Sequence, residues 1–429
     1  MEEKKNILIF PAGTEIAFEI RDALQFSRFV NLFGATGSDC HADFVFKTCV
    51  PGLPYSDDPA LIDAINRVVD EYAIDYIFPA HDSALLNLSE NREKLHCTLV
   101  APDRETVRVC RDKNRTYDFF AGAPYLPHSY MNADEVDSYP VFIKPAVGQG
   151  SEGARKINDR AHLDEALSEG TEYAICEYLP GDEFTVDCFT DRNGVLRFVN
   201  PRTRDRIRAG IAVRSHNLPQ DEKIEAIAED INSKLNFNGA WFFQVKKNAA
   251  GEFRLMEIAP RVAGTMGLSR SLGINFPLLT LYNFWGYDVE LISNGNSVLL
   301  DRAFISRFKT DIEYGNVYVD FDDSLIVDGK VNTQLIMFLY QAKNAGKNLV
   351  LLTRHTSDIY EDLRKYSIAE NLFDEIINID HNDGKKTDYI KPDSIFIDDS
   401  FAERKRVHDE CGIPVFDLDM IESLLDWRV

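Results

Sequence analysis

The chain has 429 residues, 45% apolar and 27% charged, a soluble globular balance with enough apolar mass for a large core. Its formal net charge of −23 excludes non-specific binding to nucleic acid and tight association with anionic membranes, both of which need basic surface. The seven cysteines (Cys40, Cys49, Cys97, Cys110, Cys176, Cys188 and Cys411) stand singly, with no Cys-x-x-Cys pair, and read as reduced thiols of a cytoplasmic protein. Met1-Glu-Glu-Lys-Lys leads straight into an apolar run, so no signal peptide is expected, and no run approaches the roughly 20 apolar residues of a membrane helix.

In chain order, Asn6–Phe10 reads as a buried strand, Glu15–Phe26 as a helix and Val30–Phe33 as a second strand. Ala60–Tyr72 is helical, Ile74–Phe78 extended, Leu85–Leu95 helical and Thr98–Ala101 extended. This alternation predicts a parallel sheet with helices on both faces over residues 1–108. Pro11-Ala-Gly13-Thr lacks the Gly-x-Gly-x-x-Gly of dinucleotide folds, so no NAD site is expected. His81 in Pro79-Ala-His81-Asp82, at a strand end, serves either a structural role or a substrate contact.

Residues 109–297 read as a second, α+β domain. A strand, Pro140–Lys144, runs into the loop Gly148-Gln-Gly150-Ser151-Glu-Gly153, whose glycines let backbone N–H groups close over phosphates. Strands follow at Tyr173–Glu177 and Glu183–Asp187, then a hairpin of Ala240–Lys246 and Arg254–Arg261 through Asn248–Gly251. Gln244 and Glu257 would sit on neighbouring strands with their oxygens converging as hard-metal ligands. Arg202, Arg204, Arg206 and Arg208 alternate, which predicts one basic face of an extended strand, for a carboxylate or phosphate or simply for solvent. Gly264 and Thr265, after Arg261, would present N–H groups to an anion or cap a helix.

These segments together resemble the ATP-grasp superfamily, nearest its carbamoyl-phosphate-synthase-like branch, with residues 1–108 as the pre-grasp domain. The resemblance implies ATP and Mg²⁺ (or Mn²⁺) as cofactors. It implies that Lys113 and Lys144 contact ATP phosphates together with Gly148, Gly150 and Ser151. Glu177 and Leu179 would line the adenine hinge, and Glu183 would accept from the ribose. Gln244 and Glu257 would hold the metal, and Arg261 the transferred phosphate or a substrate carboxylate. Arg204, Arg206, Arg208, Gly264 and Thr265 would face the acceptor. The family's Glu-x-Asn-Pro-Arg reads Glu-Ile-Ala259-Pro-Arg here, which removes one metal ligand.

The last third, 298–429, carries carboxylates at strand ends in a fixed order. Asn316–Val319 ends in Asp320 and Asp322; Leu349–Leu352 ends in Thr353; Lys385 and Lys386 follow; Ser394–Ile397 ends in Asp398 and Asp399. A carboxylate can take a phosphoryl group covalently, provided a hard cation and positive side chains offset the repulsion. This order resembles the haloacid dehalogenase-like (HAD) superfamily. The resemblance implies Asp320 as nucleophile, Asp322 as acid and base, and Thr353 and Lys386 (rather than Lys385) as phosphate-neutralising groups. It also implies Mg²⁺ on Asp320, Asp322, Asp398 and Asp399. Only 33 positions separate Asp320 from Thr353, and 12 separate Lys386 from Asp398, so a capless Rossmannoid domain is expected.

The whole reads as a bifunctional enzyme: a carboxylate–amine ligase with an acyl-phosphate intermediate, fused to a phosphomonoesterase. Its partners would be a small carboxylate, an amine, a phosphoester and a second copy in a homodimer. The competing readings are a ligase whose HAD-like domain only binds a phosphorylated ligand or scaffolds, and a non-catalytic ATP-binding regulator.

Overall fold

The computed structural model describes residues 4–150, 152–379 and 384–428. Its contacts separate one unit that runs to Phe304 from a second, Ile305–Arg428.

The first unit opens with β1 (Lys5–Phe10), α1 (Glu15–Leu24), β2 (Val30–Ala35), β3 (Cys49–Val50), α2 (Leu61–Tyr72), β4 (Tyr76–Pro79), α3 (Asp82–Glu90) and β5 (Thr98–Leu99). All strand pairs are parallel, in the order β3-β2-β1-β4-β5. Alternate residues of β1 point to opposite faces: Ile7 and Ile9 pack with Ile20 and Leu24 of α1, Leu8 and Phe10 with Leu61 and Ile65 of α2. Burial on both faces explains the unbroken apolar run. Local pattern overextends α3, which stops at Glu90 before a separate turn at Arg92–Lys94, and it misses the two-residue β3.

Next come α4 (Arg104–Arg111) and α5 (Lys113–Phe119), capped by the carboxylates of Asp103 and Asp112. β6 (Ser129–Tyr130), β7 (Val141–Pro145), β8 (Arg155–Ile157), α6 (Arg160–Leu167) and β9 (Tyr173–Glu177) give an antiparallel sheet ordered β6-β9-β7-β8. β10 (Glu183–Thr190), β11 (Leu196–Thr203), β12 (Arg206–Arg208), β13 (Ile211–His216), α7 (Glu222–Lys234), β14 (Gly239–Lys247) and β15 (Phe253–Ala259) follow. The unit ends with α8 (Gly267–Ser271), α9 (Phe276–Phe284) and β16 (Leu299–Asp301). One sheet is β11-β10-β14-β15 and another β12-β13-β16, both antiparallel. Two expected boundaries move. α4 runs straight through 108/109, and β16 pairs with β13, so the unit extends past 297 to Phe304.

The second unit contains β17 (Asn316–Val319), β18 (Ile326–Val327), β19 (Lys330–Val331), α10 (Thr333–Asn344), β20 (Asn348–Thr353), α11 (Ile359–Lys365), β21 (Glu375–Asn378), β22 (Ser394–Ile397), α12 (Phe401–Cys411) and β23 (Val415–Phe416). Its parallel sheet runs β21-β20-β17-β22-β23, the same spatial order as the first sheet. Val317 and Val319 pack with Leu335 and Leu339 of α10, while Tyr318 and Phe396 pack with Val407 of α12. Only the β18–β19 hairpin and α10 lie between Asp320 and Thr353, and Lys386–Tyr389 is one short turn. Among the described residues no helix is long and apolar enough to cross a membrane.

Candidate active sites

In an open parallel sheet, ligands gather at the carboxyl ends of the strands where the strand order reverses. In the first sheet that point lies between β1 and β4, whose following residues Thr14, Glu15, His81 and Asp82 line a cavity of about 590 Å³. Residues of the β11-β10-β14-β15 sheet line it as well. Gln244 of β14 stands directly across from Glu257 of β15 in the antiparallel register, and both line the cavity. Lys113, Gly148, Gly150, Arg204, Arg261, Gly264 and Thr265 line it too. Ser151 lies outside the described residues.

Lys113 opens α5, tied to the glycine loop's strand by its backbone N–H donating to the Ala146 carbonyl at 2.9 Å. Burial, only partly offset by Glu257 and reinforced by Lys144 and Arg111, lowers its pKa. Such an ammonium is a strong donor to an incoming anion. Arg261 is held flat: its Nε and Nη2 each donate to the Asp82 carboxylate at 2.7 Å, and its guanidinium lies 5.2 Å over the Phe242 ring. Burial raises the Asp82 pKa, but the Arg261 charge and hydrogen bonds outweigh it and bring it down to about 2. Sequence pattern points only at the tetrapeptide containing Asp82; the pair itself spans 179 positions and has no local signal.

Gly210 closes the mouth. It has φ +73°, and a methyl group on it would collide with the Gly150 backbone, so both conformation and space demand glycine.

Three expectations change. Lys144 does not line the cavity; its buried Nζ donates to the Met256 carbonyl at 2.7 Å, beside Glu257 and 5.2 Å over the Tyr117 ring. Burial lowers its pKa, yet Tyr117, Cys176 and Glu257 together leave it raised. Glu177 and Glu183 are engaged elsewhere in the chain. Glu177 accepts from the His128 N–H at 2.9 Å, Glu183 pairs with Arg204 at 2.8 Å, and neither they nor the buried Leu179 line the cavity. The arginine run is not one face of one strand, because β11 ends at Thr203 and Arg206–Arg208 join a different sheet. Arg206 is therefore exposed on Asp301 and Arg208 is exposed, both off the cavity, whereas Arg202 and Arg204 turn inward. As the sequence indicates, Ala259 is buried on the cavity wall and offers no side-chain oxygen, leaving Gln244 and Glu257 as the cross-strand pair of side-chain oxygens there. Two facing oxygens beside Lys113 and Arg261 suit a hard cation that also binds phosphate oxygens.

The second unit gathers its acids at the corresponding point of its own sheet. Asp320 follows β17 and Asp398 follows β22, adjacent central strands. Buried Lys386 donates to Asp320 Oδ1 and Asp398 Oδ2, each at 2.6 Å. Lys385 instead reaches Glu410 at the surface. Burial, with Asp398 adding to it and Lys386 opposing, raises Asp320 to about 6. Ligand oxygens of Asp320, Asp398 and Asp399 all lie within 4.8 Å of one another, and Ser324 Oγ fixes Asp399 at 3.2 Å. This hard-oxygen donor set fits Mg²⁺. Thr353 Oγ1 is buried with no partner at hydrogen-bonding geometry, though near enough to Asp320 to oppose its upward shift. Asp322 lies outside the cluster. Its carboxylate meets His355 Nδ1 at 2.8 Å, and His355 Nε2 meets Asp362 at 2.7 Å. That bridge was not foreseen; Arg354-His355 after Thr353 carries no recognisable spacing.

Known proteins resemble the first unit. Residues 170–299 match a family model described as ATP-grasp in the biosynthetic pathway with Ter operon. A D-alanine–D-alanine ligase of Marinomonas sp. (strain MWYL1) is 33% identical over 96 residues, and one from Fusobacterium nucleatum is 28% identical over 93. These alignments take in 19% and 21% of this chain, and the chain spans only 30% and 32% of the length of those relatives. Among solved structures, biotin carboxylase from Campylobacter jejuni in a β-γ-ATP complex superposes with TM-score 0.58 at 17% identity, covering 69% of this chain and 75% of that one. The L-amino acid ligase of Bacillus licheniformis gives 0.52 at 21%, covering 66% and 74%; ADP-bound N5-carboxyaminoimidazole synthetase of Staphylococcus aureus gives 0.55 at 16%, covering 67% and 78%. The first unit therefore shares the fold of these solved structures. The segment that matches the family model contains β9, β10, β14 and β15 with Gln244 and Glu257.

Proposed function

We propose that the chain is a bifunctional enzyme: an ATP-dependent carboxylate–amine ligase in its first unit and a phosphomonoesterase of HAD-like chemistry in its second. The observation that carries the ligase reading is the cross-strand pair Gln244–Glu257 facing Lys113 and Arg261 across one cavity beside a glycine loop. Lys113 and the glycine loop bind the phosphate chain, and Arg261 takes the transferring phosphoryl group. An oxygen of the acceptor carboxylate attacks the γ-phosphorus and ADP leaves. The amine then attacks the acyl carbon and expels phosphate. Mg²⁺, held by Gln244 and Glu257, would neutralise phosphate charge, and Mn²⁺ has the same oxygen preference.

In the second unit Asp320 attacks a phosphate ester while Asp322 protonates the leaving oxygen, then deprotonates the water that hydrolyses the aspartyl phosphate. Lys386 and Thr353 hold the phosphoryl oxygens, and Mg²⁺ on Asp320, Asp398 and Asp399 would offset the anionic repulsion. The support here is the convergence of Lys386 on Asp320 and Asp398 at a sheet switch point. The relatives' names support C–N ligation, and the absence of a large insertion supports an accessible second site.

Two assays test the halves separately. ADP release should require ATP, Mg²⁺ and an added carboxylate and fall at least a hundredfold in Glu257→Gln. Hydrolysis of p-nitrophenyl phosphate should disappear in Asp320→Asn. ADP release indifferent to Glu257, or phosphatase activity surviving Asp320→Asn, would remove the corresponding half.

A further inference from the structure

Two arginines near the first cavity, Arg202 on its wall and Arg302 beside the wall residue Gly264, have guanidinium nitrogens with no acceptor. Arg202 is 1% exposed, lines the cavity, and uses Nε and Nη2 on Asp187 at 2.9 and 3.1 Å. Asp187 is fixed in turn by Ser269 Oγ at 3.0 Å, and Ser269 by Asn200 at 3.1 Å. This chain of buried bonds holds the Arg202 fork rigid and leaves its Nη1 buried with no partner. Arg302 follows β16, its backbone N–H bonded to the Val213 carbonyl at 2.8 Å. Its Nη1 is also buried without a partner and stands 3.4 Å from where a side-chain carbon on Gly264 would lie. Gly264 is part of the cavity wall.

A buried donor left unmade is costly, and two of them, from Arg202 in β11 and Arg302 after β16, call for an acceptor. The nearby carboxylates do not supply it. Glu19 is engaged bidentately by Arg270 at 2.8 and 3.1 Å. Glu15, on the cavity wall, makes no hydrogen bond to Arg302 among the described residues. Burial lowers the Arg302 pKa despite Glu15 and Glu19, and the charge of Arg202 is close enough to push it the same way.

We infer that Arg202 and Arg302 form an anion subsite beside Gly264 and Thr265, so that the ligase acceptor carries a second anionic group besides the carboxylate activated at Arg261. The inference rests on the ligase reading of this cavity. Two guanidinium donors match the paired oxygens of a carboxylate or a phosphate. A neutral amide in the same place offers one acceptor and turns two N–H donors toward two cations.

The test is calorimetric binding to the full chain with Mg²⁺ and a non-hydrolysable ATP analogue. Succinate, glutarate and phosphoglycolate are titrated against succinamate, glutaramate and glycolate. At least one doubly charged probe should bind about ten- to a hundredfold more tightly than its singly charged counterpart, the size of a charge-assisted pair. Preference for the dicarboxylates or for phosphoglycolate identifies the anion. Arg302→Gln, at a half-buried position, should reduce the difference below about threefold, as should Arg202→Lys where circular dichroism shows it folded; if it is not, Arg302→Gln decides. Equal binding of doubly and singly charged members, no binding of any doubly charged probe, or a difference unchanged in Arg302→Gln would overturn the subsite. ADP release with neutral monoacids alone would sink the subsite and leave the ligase standing. Selective diacid binding without ADP release would do the reverse.

Discussion

Replacing Asp82 with Asn tests the Arg261 clasp most directly, because the structure fixes both the size and the pH window of the effect. The Asp82 carboxyl sits at about 2 in the fold against 3.8 for an ordinary aspartate, nearly two pH units of preference for the ionised form. Each unit corresponds to about 1.4 kcal/mol, so ionised Asp82 contributes about 2.5 kcal/mol at neutral pH. Both side chains are largely shielded, at 18% and 13% exposure, so solvent screening removes little of this. The sign follows from a depressed acid: the contribution is complete above the unfolded value of 3.8 and drains as pH falls toward 2. About half should be gone by pH 3, by the same linkage arithmetic. Thermal melts from pH 7 to 3 should therefore show the Asp82→Asn chain melting roughly 4 °C or more lower at pH 7, with the gap closing on acidification. Trp241 and Trp285 report the first unit, and a Trp427→Phe background silences the second. Parallel pH profiles for the two proteins would refute the reasoning, since the gap must close if Arg261 is what holds the Asp82 proton off.

Lys386→Met leaves Asp320 and Asp398 buried without their cation and should destabilise the second unit by about 3–5 kcal/mol, read as a denaturant midpoint; adding Asp398→Asn should recover part of it. Gly210→Ala forces a side chain into the Gly150 backbone and should raise the KM for ATP at least tenfold in ADP release, with the second unit's phosphatase rate unchanged. His355→Phe removes the bridge between Asp322 and Asp362 and should cut p-nitrophenyl phosphate turnover about ten- to a hundredfold in kcat with little change in KM, because it disturbs an acid rather than a phosphate contact.

What the sequence made legible is what local pattern encodes. Apolar runs that end in carboxylates mark strand ends, so Asp320, Thr353 and Asp398 could be placed at one edge of a sheet from residue order alone. The hairpin of β14 and β15 likewise announced the Gln244–Glu257 pairing through its turn. The errors share one cause: local periodicity does not record where a strand changes partners. The alternating arginines kept their period through Thr203, where β11 ends, so Arg206 and Arg208 were assigned to a face that belongs to Arg202 and Arg204. The bonds that set the cavity's chemistry, Asp82 to Arg261 and Asp187 to Arg202, join side chains that only the folded chain brings together. Lys144 has the right spacing for a phosphate contact, but its four-carbon stem lets the ammonium settle on the Met256 carbonyl.

The two parallel sheets share a strand order but not a schedule of completion. During synthesis the first sheet has all its strands once Leu99 emerges, whereas β17 waits for β22 and β23, which end at Phe416. A chain cut near residue 390 would thus bare the Val317–Val319 edge, an apolar template ready to recruit foreign strands. Quality control of this protein, in a cell or in an expression host, hinges on the segment 394–416 that supplies β22 and β23.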